Sequence, residues 1–211
     1  MSCPLPHEFF ARPSPVVAAD LVGKIIWRHG IGGGRLVEVE AYLPNGDEAC
    51  HAAQGKTARN AMMFGPPGSL YVYVSYGVHH LLNLVCEEEG IPSAVLIRAF
   101  QPWKADLNLR RMRGDDNGDM PVRDIASGPG RAGQALGLDL TWNGQSLGRE
   151  SGLIVADDGQ RSAVQRTARI GISKADDLLL RYIAPGSEFL SRSPRWGENV
   201  APPPVAPDRR R

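Results

Sequence analysis

The sequence predicts an α+β protein, a single domain in which a curved, mainly antiparallel β-sheet is flanked by a few helices. Short runs of β-branched and aromatic residues alternate with tight turns, and helices and strands do not follow each other regularly. No linker divides the 211 residues into two hydrophobic halves. We therefore expect one domain over 1–211, with a core from about residue 4 to 195 and a flexible tail, rich in proline and arginine, over 196–211.

The first predicted elements are two strands joined by a glycine-rich turn. LVGKIIWRH (21–29) precedes the turn GIGGG (30–34), and RLVEVEAYL (35–43) follows it. Side chains alternate faces along a strand, which divides the second strand into two sets. The polar set is Glu38, Glu40 and Tyr42, and the apolar set is Val37, Val39 and Ala41. A carboxylate and an aromatic ring are thus expected side by side on one surface.

Three further strands are predicted as an antiparallel meander, namely SLYVYVSY (69–76), HLLNLVCE (80–87) and SAVLIRAF (93–100). Tyr71, Tyr73 and Ser75 share one face of the first. Asn83 interrupts an otherwise apolar strand, and Arg98 lies on the last. Burial would force these two polar groups to find hydrogen-bonding partners.

The rest of the chain is predicted to contain two helices and two strands. Pro102 opens a helix to about Arg113, because proline suits the first helical turn. The loop RGDDNGDMP (113–121) separates it from a helix that follows SGPG (127–130) and ends near Leu136. The strands are ARIGIS (168–173) and LLLRYIA (178–184). The SGPG segment is equally compatible with a phosphate site and with a plain helix cap.

A formal net charge of +1 gives no global argument for a nucleic-acid partner, so any DNA-binding face must be local. The basic residues of two stretches lie beside acidic ones, which favours a solvated surface of mixed charge. They are Arg110, Arg111 and Arg113 in the first stretch, and Arg161, Arg166, Arg169 and Lys174 in the second.

Cysteine and histidine usage predicts a cytoplasmic protein without a metal site. The three cysteines form no Cys-x-x-Cys pair, which favours reduced thiols, and the first ten residues do not resemble a secretory signal. His79 and His80 are adjacent and would point to opposite faces of a strand. Cys50, His51 and Cys86 have no zinc-like spacing.

On its spacing alone, Glu40 would be interpreted as a solvent-facing strand residue. Six segments together change that interpretation: LVEVEAYLPNGDEACHA (36–52), TARNAMMFGPPGSLYVYVSYG (57–77), the strand around Asn83, LIRAFQP (96–102), SGPGRAGQALGL (127–138) and ARIGISKA (168–175). In their order and spacing, from near Leu5 to about Arg192, they resemble bacterial members of the alkyladenine (3-methyladenine) DNA glycosylase family.

The resemblance implies a monofunctional DNA glycosylase of base excision repair. Such an enzyme would bind double-stranded DNA, flip out an alkylated or deaminated purine of the 3-methyladenine, hypoxanthine and ethenoadenine class, and leave an abasic site. Glu40 would act as general base on a water, which Arg98 and the backbone carbonyl of Ile170 would help to hold. No cofactor is implied, no lysine is placed for Schiff-base chemistry, and we expect a monomer.

The remaining roles implied by the resemblance concern the base and the duplex. Tyr42, His51 and Tyr73 would line the pocket around the extruded base. Tyr76 would enter the minor groove and fill the gap left in the stack. Asn83 would obstruct the 2-amino group of guanine, so that normal guanine is excluded.

Two other functions stay open at this point. A non-catalytic binder could recognise damaged or single-stranded nucleic acid by stacking on Tyr42, Tyr73 and Tyr76. Glu40 argues against it, since a carboxylate repels phosphate-rich ligands. A hydrolase of free nucleosides would not need Tyr76, and dependence of the activity on a duplex would distinguish it from a repair enzyme.

Overall fold

A computed structural model describes residues 3–103 and 107–194 and, as backbone, the strand at 198–200. The strands are β1 (Cys3–Pro4), β2 (Ile25–Arg28), β3 (Gly32–Tyr42), β4 (Leu70–Ser75), β5 (His79–Val85), β6 (Ala94–Pro102), β7 (Leu153–Asp157), β8 (Val164–Thr167), β9 (Arg181–Ile183) and β10 (Glu198–Val200). The α-helices are α1 (His7–Phe10), α2 (Ser14–Leu21), α3 (Leu107–Met112) and α4 (Pro129–Ala135). Short 3-10 helices span Ala61–Phe64, Val122–Asp124 and Leu140–Trp142.

The predicted fold class is confirmed. One antiparallel, curled sheet runs in the order β1-β7-β2-β3-β6-β5-β4, and β9, β8 and β10 branch from β3. The predicted first hairpin corresponds to β2 and β3, and the meander to β4, β5 and β6. Within the predicted tail, 198–200 pairs with β8, and the rest of 196–211 lies outside the described residues.

Strand β3 is the centre of the sheet and changes partners along its length. One edge pairs with β6, whereas the other pairs first with β2 and then, at Glu38 to Glu40, with β9. A β-bulge interrupts the register between Leu36 and Val39. The predicted set of Val37, Val39 and Ala41 is therefore wrong at one position: Val37 packs in a separate cluster with residues such as Phe189, while Val39 and Ala41 lie in the main core.

Glycine is required where backbones approach closely. A Cβ on Gly33 would lie 1.9 Å from the carbonyl oxygen of Ile26, so the β2–β3 pair admits no side chain there. A Cβ on Gly133 in α4 would lie 2.0 Å from the carbonyl oxygen of His80, which fixes how near the helix comes to β5. These contacts hold α4 against the meander that carries the aromatic residues.

Several predicted boundaries are wrong. Helix α2 was not predicted, so the first strand begins at Ile25 and not at Leu21. Pro102 is the last residue of β6, and the described helix is Leu107–Met112. Residues 168–173 form no strand, because the strand there, β8, has already ended at Thr167. Helix α4 agrees with the prediction, although Ser127 does not cap it: its hydroxyl accepts a hydrogen bond from Arg131 instead.

The basic stretches are not simply a solvated surface. Arg110 is only 6% exposed and pairs with Asp115 at 2.8 Å. Asp115 also accepts the backbone N–H groups of Asp119 and Met120, so these contacts organise the loop at 113–121. Arg169, in the second stretch, is also buried. For these two arginines the prediction of a solvated position is wrong, because each forms an ion pair below the surface.

Three further observations concern the cysteines, the length of the helices and groups that could bind a metal. All three cysteines are free, with Cys50 and Cys86 buried. Among the residues described, no helix has the length and apolar character needed to cross a membrane. The same part of the chain contains no group of three or more histidine, cysteine or acidic residues arranged to hold a metal ion.

Candidate active site

A cavity of about 390 Å³ opens beside β4 and is lined mainly by polar and aromatic side chains. Its wall contains all four predicted base-pocket residues, namely Tyr42, His51, Tyr73 and Asn83. The remaining lining residues come from β4, from the turn after it, from the segment between β3 and β4, and from the loop after β8: Glu48, Ala49, Arg59, Met63, Tyr71, Ser75, Tyr76, Gly171, Ile172, Ser173 and Lys174. The predicted pocket residues are thus brought together in one place.

The aromatic wall is ordered by contacts among its own members. Nδ1 of His51 lies 2.9 Å from the hydroxyl of Tyr71, and the His51 ring meets Tyr73 edge-on, with 4.6 Å between centroids. Burial, followed by the nearby charge of Arg59, lowers the pKa of His51, so the imidazole is neutral at pH 7. Tyr71 was predicted to share a face with Tyr73 but was not among the predicted site residues.

Glu40 lies below this wall and has no exposed surface, so the solvent-facing position that its spacing alone would suggest does not hold. Three donors hold its carboxylate: the hydroxyl of Tyr42 at 3.1 Å and Nη1 of Arg98 at 3.1 Å on Oε2, and the backbone N–H of Ile170 at 2.8 Å on Oε1. Glu40 does not itself line the cavity. Tyr42 connects the two, because its ring lines the cavity and its hydroxyl touches the carboxylate.

Arg98 is held by a second buried glutamate, which was not among the predicted site residues. Its Nε donates to Oε1 of Glu38 at 2.7 Å, and the same oxygen accepts Nε of Arg181 at 2.9 Å. Burial alone would lower the pKa of Arg98, but the carboxylates of Glu40 and Glu38 outweigh it and raise the pKa. Two carboxylates and two guanidiniums thus balance each other in the interior.

The segment after β9 closes this network. The backbone N–H of Ser191 donates to Oε2 of Glu38 at 2.6 Å, and its hydroxyl donates to Oε1 at 2.7 Å. Nη2 of Arg98 in turn reaches the same hydroxyl at 3.3 Å. Burial alone would raise the pKa of Glu38, but the charges of Arg98 and Arg181 and the side-chain bonds from Arg181 and Ser191 outweigh it and lower the pKa, so the group stays a carboxylate.

A buried ion pair fixes the loop that carries Ile170. Arg169 binds Asp47 through two bonds of 2.7 Å, and its Nη1 also donates to the carbonyl of Ala41 at 3.1 Å. Its guanidinium lies 4.7 Å from the centroid of the Tyr42 ring. Loop 168–175 is therefore tied to the end of β3, and this explains why its strand-like sequence forms no strand: the N–H of Ile170 bonds to Glu40.

Ile170 lies beside Glu40 and Arg98, and the role predicted for its carbonyl, holding a water, stays a prediction. Its backbone N–H binds Glu40, while its carbonyl accepts a longer bond of 3.5 Å from Nη1 of Arg98. Both backbone groups of this residue thus face the carboxylate and its partner.

Tyr76 occupies the tip of the β4–β5 hairpin. It is 91% exposed, with a positive φ of 51°, and Gly77 follows with a φ of 74°. Two successive positive φ values, with the N–H of Val78 bonded to the carbonyl of Ser75, describe a tight turn of the type I′ kind. An aromatic residue in this conformation is uncommon and strained, so the turn holds Tyr76 out from the sheet at some cost to stability.

Asn83 faces the cavity from β5. It is 4% exposed, and its amide donates to the carbonyl of Tyr71 at 3.1 Å. Lys174 also lines the cavity, so the absence of a lysine placed for Schiff-base chemistry stays a prediction. Its ammonium lies 3.4 Å from the carboxylate of Glu48, and both side chains are exposed.

Comparisons with known proteins indicate one family. A family model described as methylpurine-DNA glycosylase matches residues 8–188. A protein of Chlorobaculum tepidum is 43% identical over 202 residues, covering 93% of this chain and 92% of its own. One of Rhodopseudomonas palustris strain BisB18 is 47% identical over 190 residues, covering 89% and 90%, and one of Corynebacterium glutamicum is 43% identical over 182 residues, covering 86% and 94%. All three are named "Putative 3-methyladenine DNA glycosylase".

Proposed function

The chain belongs to the methylpurine-DNA glycosylase family, and from this membership we propose that it is a monofunctional glycosylase of base excision repair. It removes alkylated or deaminated purines, of the 3-methyladenine, hypoxanthine and ethenoadenine class, from double-stranded DNA. It hydrolyses the N-glycosidic bond and leaves an abasic site, without cutting the strand.

The base must leave the helix before this bond becomes accessible. Extrusion costs a few kcal/mol of stacking and pairing, and least for a damaged base. Tyr76, held out from the sheet by its turn, replaces part of the lost stacking when it enters the duplex. The flipped purine then stacks in the cavity beside Tyr42, His51 and Tyr73.

Glu40 then directs a water at the anomeric carbon of the sugar. A carboxylate has about four acceptor positions, of which Tyr42, Arg98 and Ile170 occupy three, so one remains for a water. Glu40 takes a proton from this water as the purine departs, and its negative charge stabilises the cationic sugar that develops. Arg98 and the carbonyl of Ile170 hold the water in line.

The observation that carries this proposal is the position of Glu40. A fully buried carboxylate, fixed by three donors directly behind a tyrosine of the cavity wall, has little value for folding alone, because burying a charge is costly. A non-catalytic binder has no use for it. A hydrolase of free nucleosides would use it but would have no need of an exposed Tyr76.

Asn83 supports selection among purines. Its side chain faces the cavity, where an amide obstructs a 2-amino group, whereas hypoxanthine lacks that group and enters. Specificity then arises from a clash with the normal base as well as from contacts with the damaged one.

The test is an excision assay on duplexes that carry a single hypoxanthine, ethenoadenine or 3-methyladenine, read as alkali-labile abasic sites. We expect release from duplex DNA, no release from the free nucleosides, and no covalent adduct on borohydride treatment, even though Lys174 lies at the cavity. The matched variant is Glu40→Gln, which keeps the shape but cannot take the proton. It should bind the lesion duplex and release no base.

Three outcomes would contradict the proposal in different ways. Excision by Glu40→Gln at the unmutated rate would remove Glu40 from the mechanism. Hydrolysis of free nucleosides as fast as of duplexes would favour the nucleoside hydrolase. Lesion binding without any base release by the unmutated protein would favour the binder.

A further inference from the structure

The charged groups at the cavity are paired, with one exception. At the rim, the ammonium of Lys174 forms an ion pair of 3.4 Å with the carboxylate of Glu48. Behind the wall, the carboxylate of Glu40 has the guanidinium of Arg98 at 3.1 Å. Below Tyr42, the bidentate pair of Arg169 and Asp47 is likewise neutral as a unit.

Arg59 is the exception. It lines the cavity, yet over the described ranges 3–103 and 107–194 no carboxylate forms an ion pair with it. Its guanidinium lies 5.8 Å from the centroid of the Tyr73 ring. Arg59 is exposed, and its positive charge lies, without a paired carboxylate, beside one of the rings that would stack on a base.

The charge of Arg59 acts on neighbouring groups inside the cavity. Burial, followed by Arg59, lowers the pKa of His51, which means that a cation at the imidazole is disfavoured. Burial, followed by the charge of Glu40, raises the pKa of Tyr73 to about 12, whereas Arg59 acts in the opposite direction and favours the anion. The contribution of Arg59 has the sign of a positive potential at both rings, and a cationic purine beside them would experience that contribution too.

We propose that Arg59 is a specificity-determining residue, which biases the cavity toward neutral damaged purines and against cationic ones. This inference rests on the proposed function. Hypoxanthine and ethenoadenine are neutral at pH 7, whereas 3-methyladenine in DNA carries a positive charge on its ring. The tyrosine faces attract a cation, but Tyr73 already interacts with one, and the two positive charges repel each other.

The test compares Arg59→Gln, which removes the charge, with Arg59→Lys, which keeps it. Release of 3-methyladenine from methylated DNA and of hypoxanthine from a duplex is measured under single-turnover conditions in the same buffer. Lys56→Gln is the matched control, because Lys56 lies three residues away and contacts Phe64, but does not line the cavity. We expect Arg59→Gln to raise the ratio of 3-methyladenine to hypoxanthine release on the order of tenfold.

The ratio should stay at the unmutated value in Arg59→Lys and in Lys56→Gln. Equal losses on both substrates in Arg59→Gln would overturn the inference and indicate that Arg59 contacts a phosphate or supports the fold. An equal change of the ratio in Lys56→Gln would also overturn it, because overall charge would then be the cause.

A titration of His51 separates this inference from the proposed function. The imidazole signals of the unmutated protein and of Arg59→Gln are followed by NMR against pH, with the fold checked by amide spectra. We expect a higher pKa for His51 in the variant, because one cause of its lowering is gone. An unchanged pKa would overturn the inference even if excision were normal. Failure of the unmutated protein to release either base would instead contradict the proposed function, and the titration would still decide whether Arg59 acts in the cavity.

Discussion

The hydroxyl of Tyr42 donates a hydrogen bond of 3.1 Å to Oε2 of Glu40, and this bond links the wall of the cavity to a carboxylate that the cavity does not expose. Burial, followed by the charge of Glu40, raises the pKa of Tyr42, so the hydroxyl keeps its proton and stays a donor. The ring and the hydroxyl of this residue therefore have separable roles, one toward the base and the other toward Glu40.

Tyr42→Phe and Tyr42→Leu separate these two roles. Tyr42→Phe keeps the ring and leaves Arg98 and Ile170 to hold Glu40. The hydrogen bond that it removes is made in the ground state as well as in the transition state, so its loss has little effect on kcat. We expect kcat for hypoxanthine excision to change by less than about tenfold and lesion binding to be retained. Tyr42→Leu should weaken binding and lower kcat further, because stacking is lost. A loss in Tyr42→Phe as complete as in Glu40→Gln would show that the hydroxyl takes part in the chemistry.

Ser191 is predicted to position Arg98 through Glu38. Ser191→Ala removes two hydroxyl contacts, to Glu38 at 2.7 Å and from Arg98 at 3.3 Å, without changing charge. One such bond contributes about 1 kcal/mol, so we expect kcat to fall by a few-fold while lesion binding stays constant. Ser187→Ala, in the same segment, is the matched control and should leave kcat unchanged. A rise in KM with constant kcat would contradict a positioning role.

Glu38→Gln should be more severe, because it leaves the guanidiniums of Arg98 and Arg181 without their shared carboxylate. Breaking a buried ion pair costs about 3–5 kcal/mol, which is a large part of the stability of most domains. Urea denaturation should show this loss. A variant with unchanged stability and unchanged kcat would show that the network is dispensable.

The sequence predicts those features that depend on the pattern of neighbouring residues, namely the faces of the strands and the turns between them. The period of two in the strands correctly placed Glu40 with Tyr42 and Tyr71 with Tyr73, and the turn residues correctly separated β4, β5 and β6. The bulge at Leu36 to Val39 moved Val37 to a different cluster, since one extra residue shifts the alternation.

The ion pairs of the site could not be predicted in this way. Asp47 and Arg169 are 122 positions apart, and Glu38 and Ser191 are 153 apart. Nothing local distinguishes a buried arginine from one on a mixed-charge surface, because the partner is supplied by the tertiary fold. The strand predicted for ARIGIS was wrong for the same reason, because the carboxylate of Glu40 accepts the hydrogen bond of the Ile170 N–H.

Asn83→Ser tests selection against guanine. The shorter side chain opens room for a 2-amino group, so release of undamaged guanine, above all from mismatches, should rise above the unmutated background. The bond from Asn83 to the carbonyl of Tyr71 is lost, and a loss of about 1 kcal/mol in stability should accompany the change. Excision is therefore compared at a temperature where both proteins are fully folded. A folded variant that still excludes guanine as well as the unmutated protein would contradict this role of Asn83.

Alkaline pH should destabilise the protein through its cavity tyrosines. Burial, followed by the charge of Glu40, raises the pKa of Tyr73 from 10.0 to about 12. Between these values the unfolded chain loses a proton that the folded protein keeps. The stabilisation is thus complete below pH 10 and declines as the pH rises toward 12. Urea denaturation between pH 8 and 11.5 should show this decline, and Tyr73→Phe should make it shallower. Parallel curves for the two proteins would contradict the assignment.

Tyr76 provides the sharpest distinction between a repair enzyme and a simple base hydrolase. It is 91% exposed and lies in a strained turn, so its ring contributes little to the core. A purely structural role would require burial, which the hairpin tip does not provide.

Tyr76→Ser should therefore leave thermal stability unchanged and reduce excision only where DNA must be opened. Without the ring, the flipped state of a paired lesion loses up to the few kcal/mol that unstacking costs. We expect a large fall in release of hypoxanthine from a fully paired duplex, a smaller fall when the lesion lies opposite a gap or in a bulge, and weaker binding of the abasic product. Leu140→Ser, at a residue 53% exposed elsewhere on the surface, is the matched control and should not distinguish these substrates. A uniform fall in excision across all substrates would contradict the insertion of Tyr76 into the duplex, because a residue that acts on the stack has no effect where the stack is already broken.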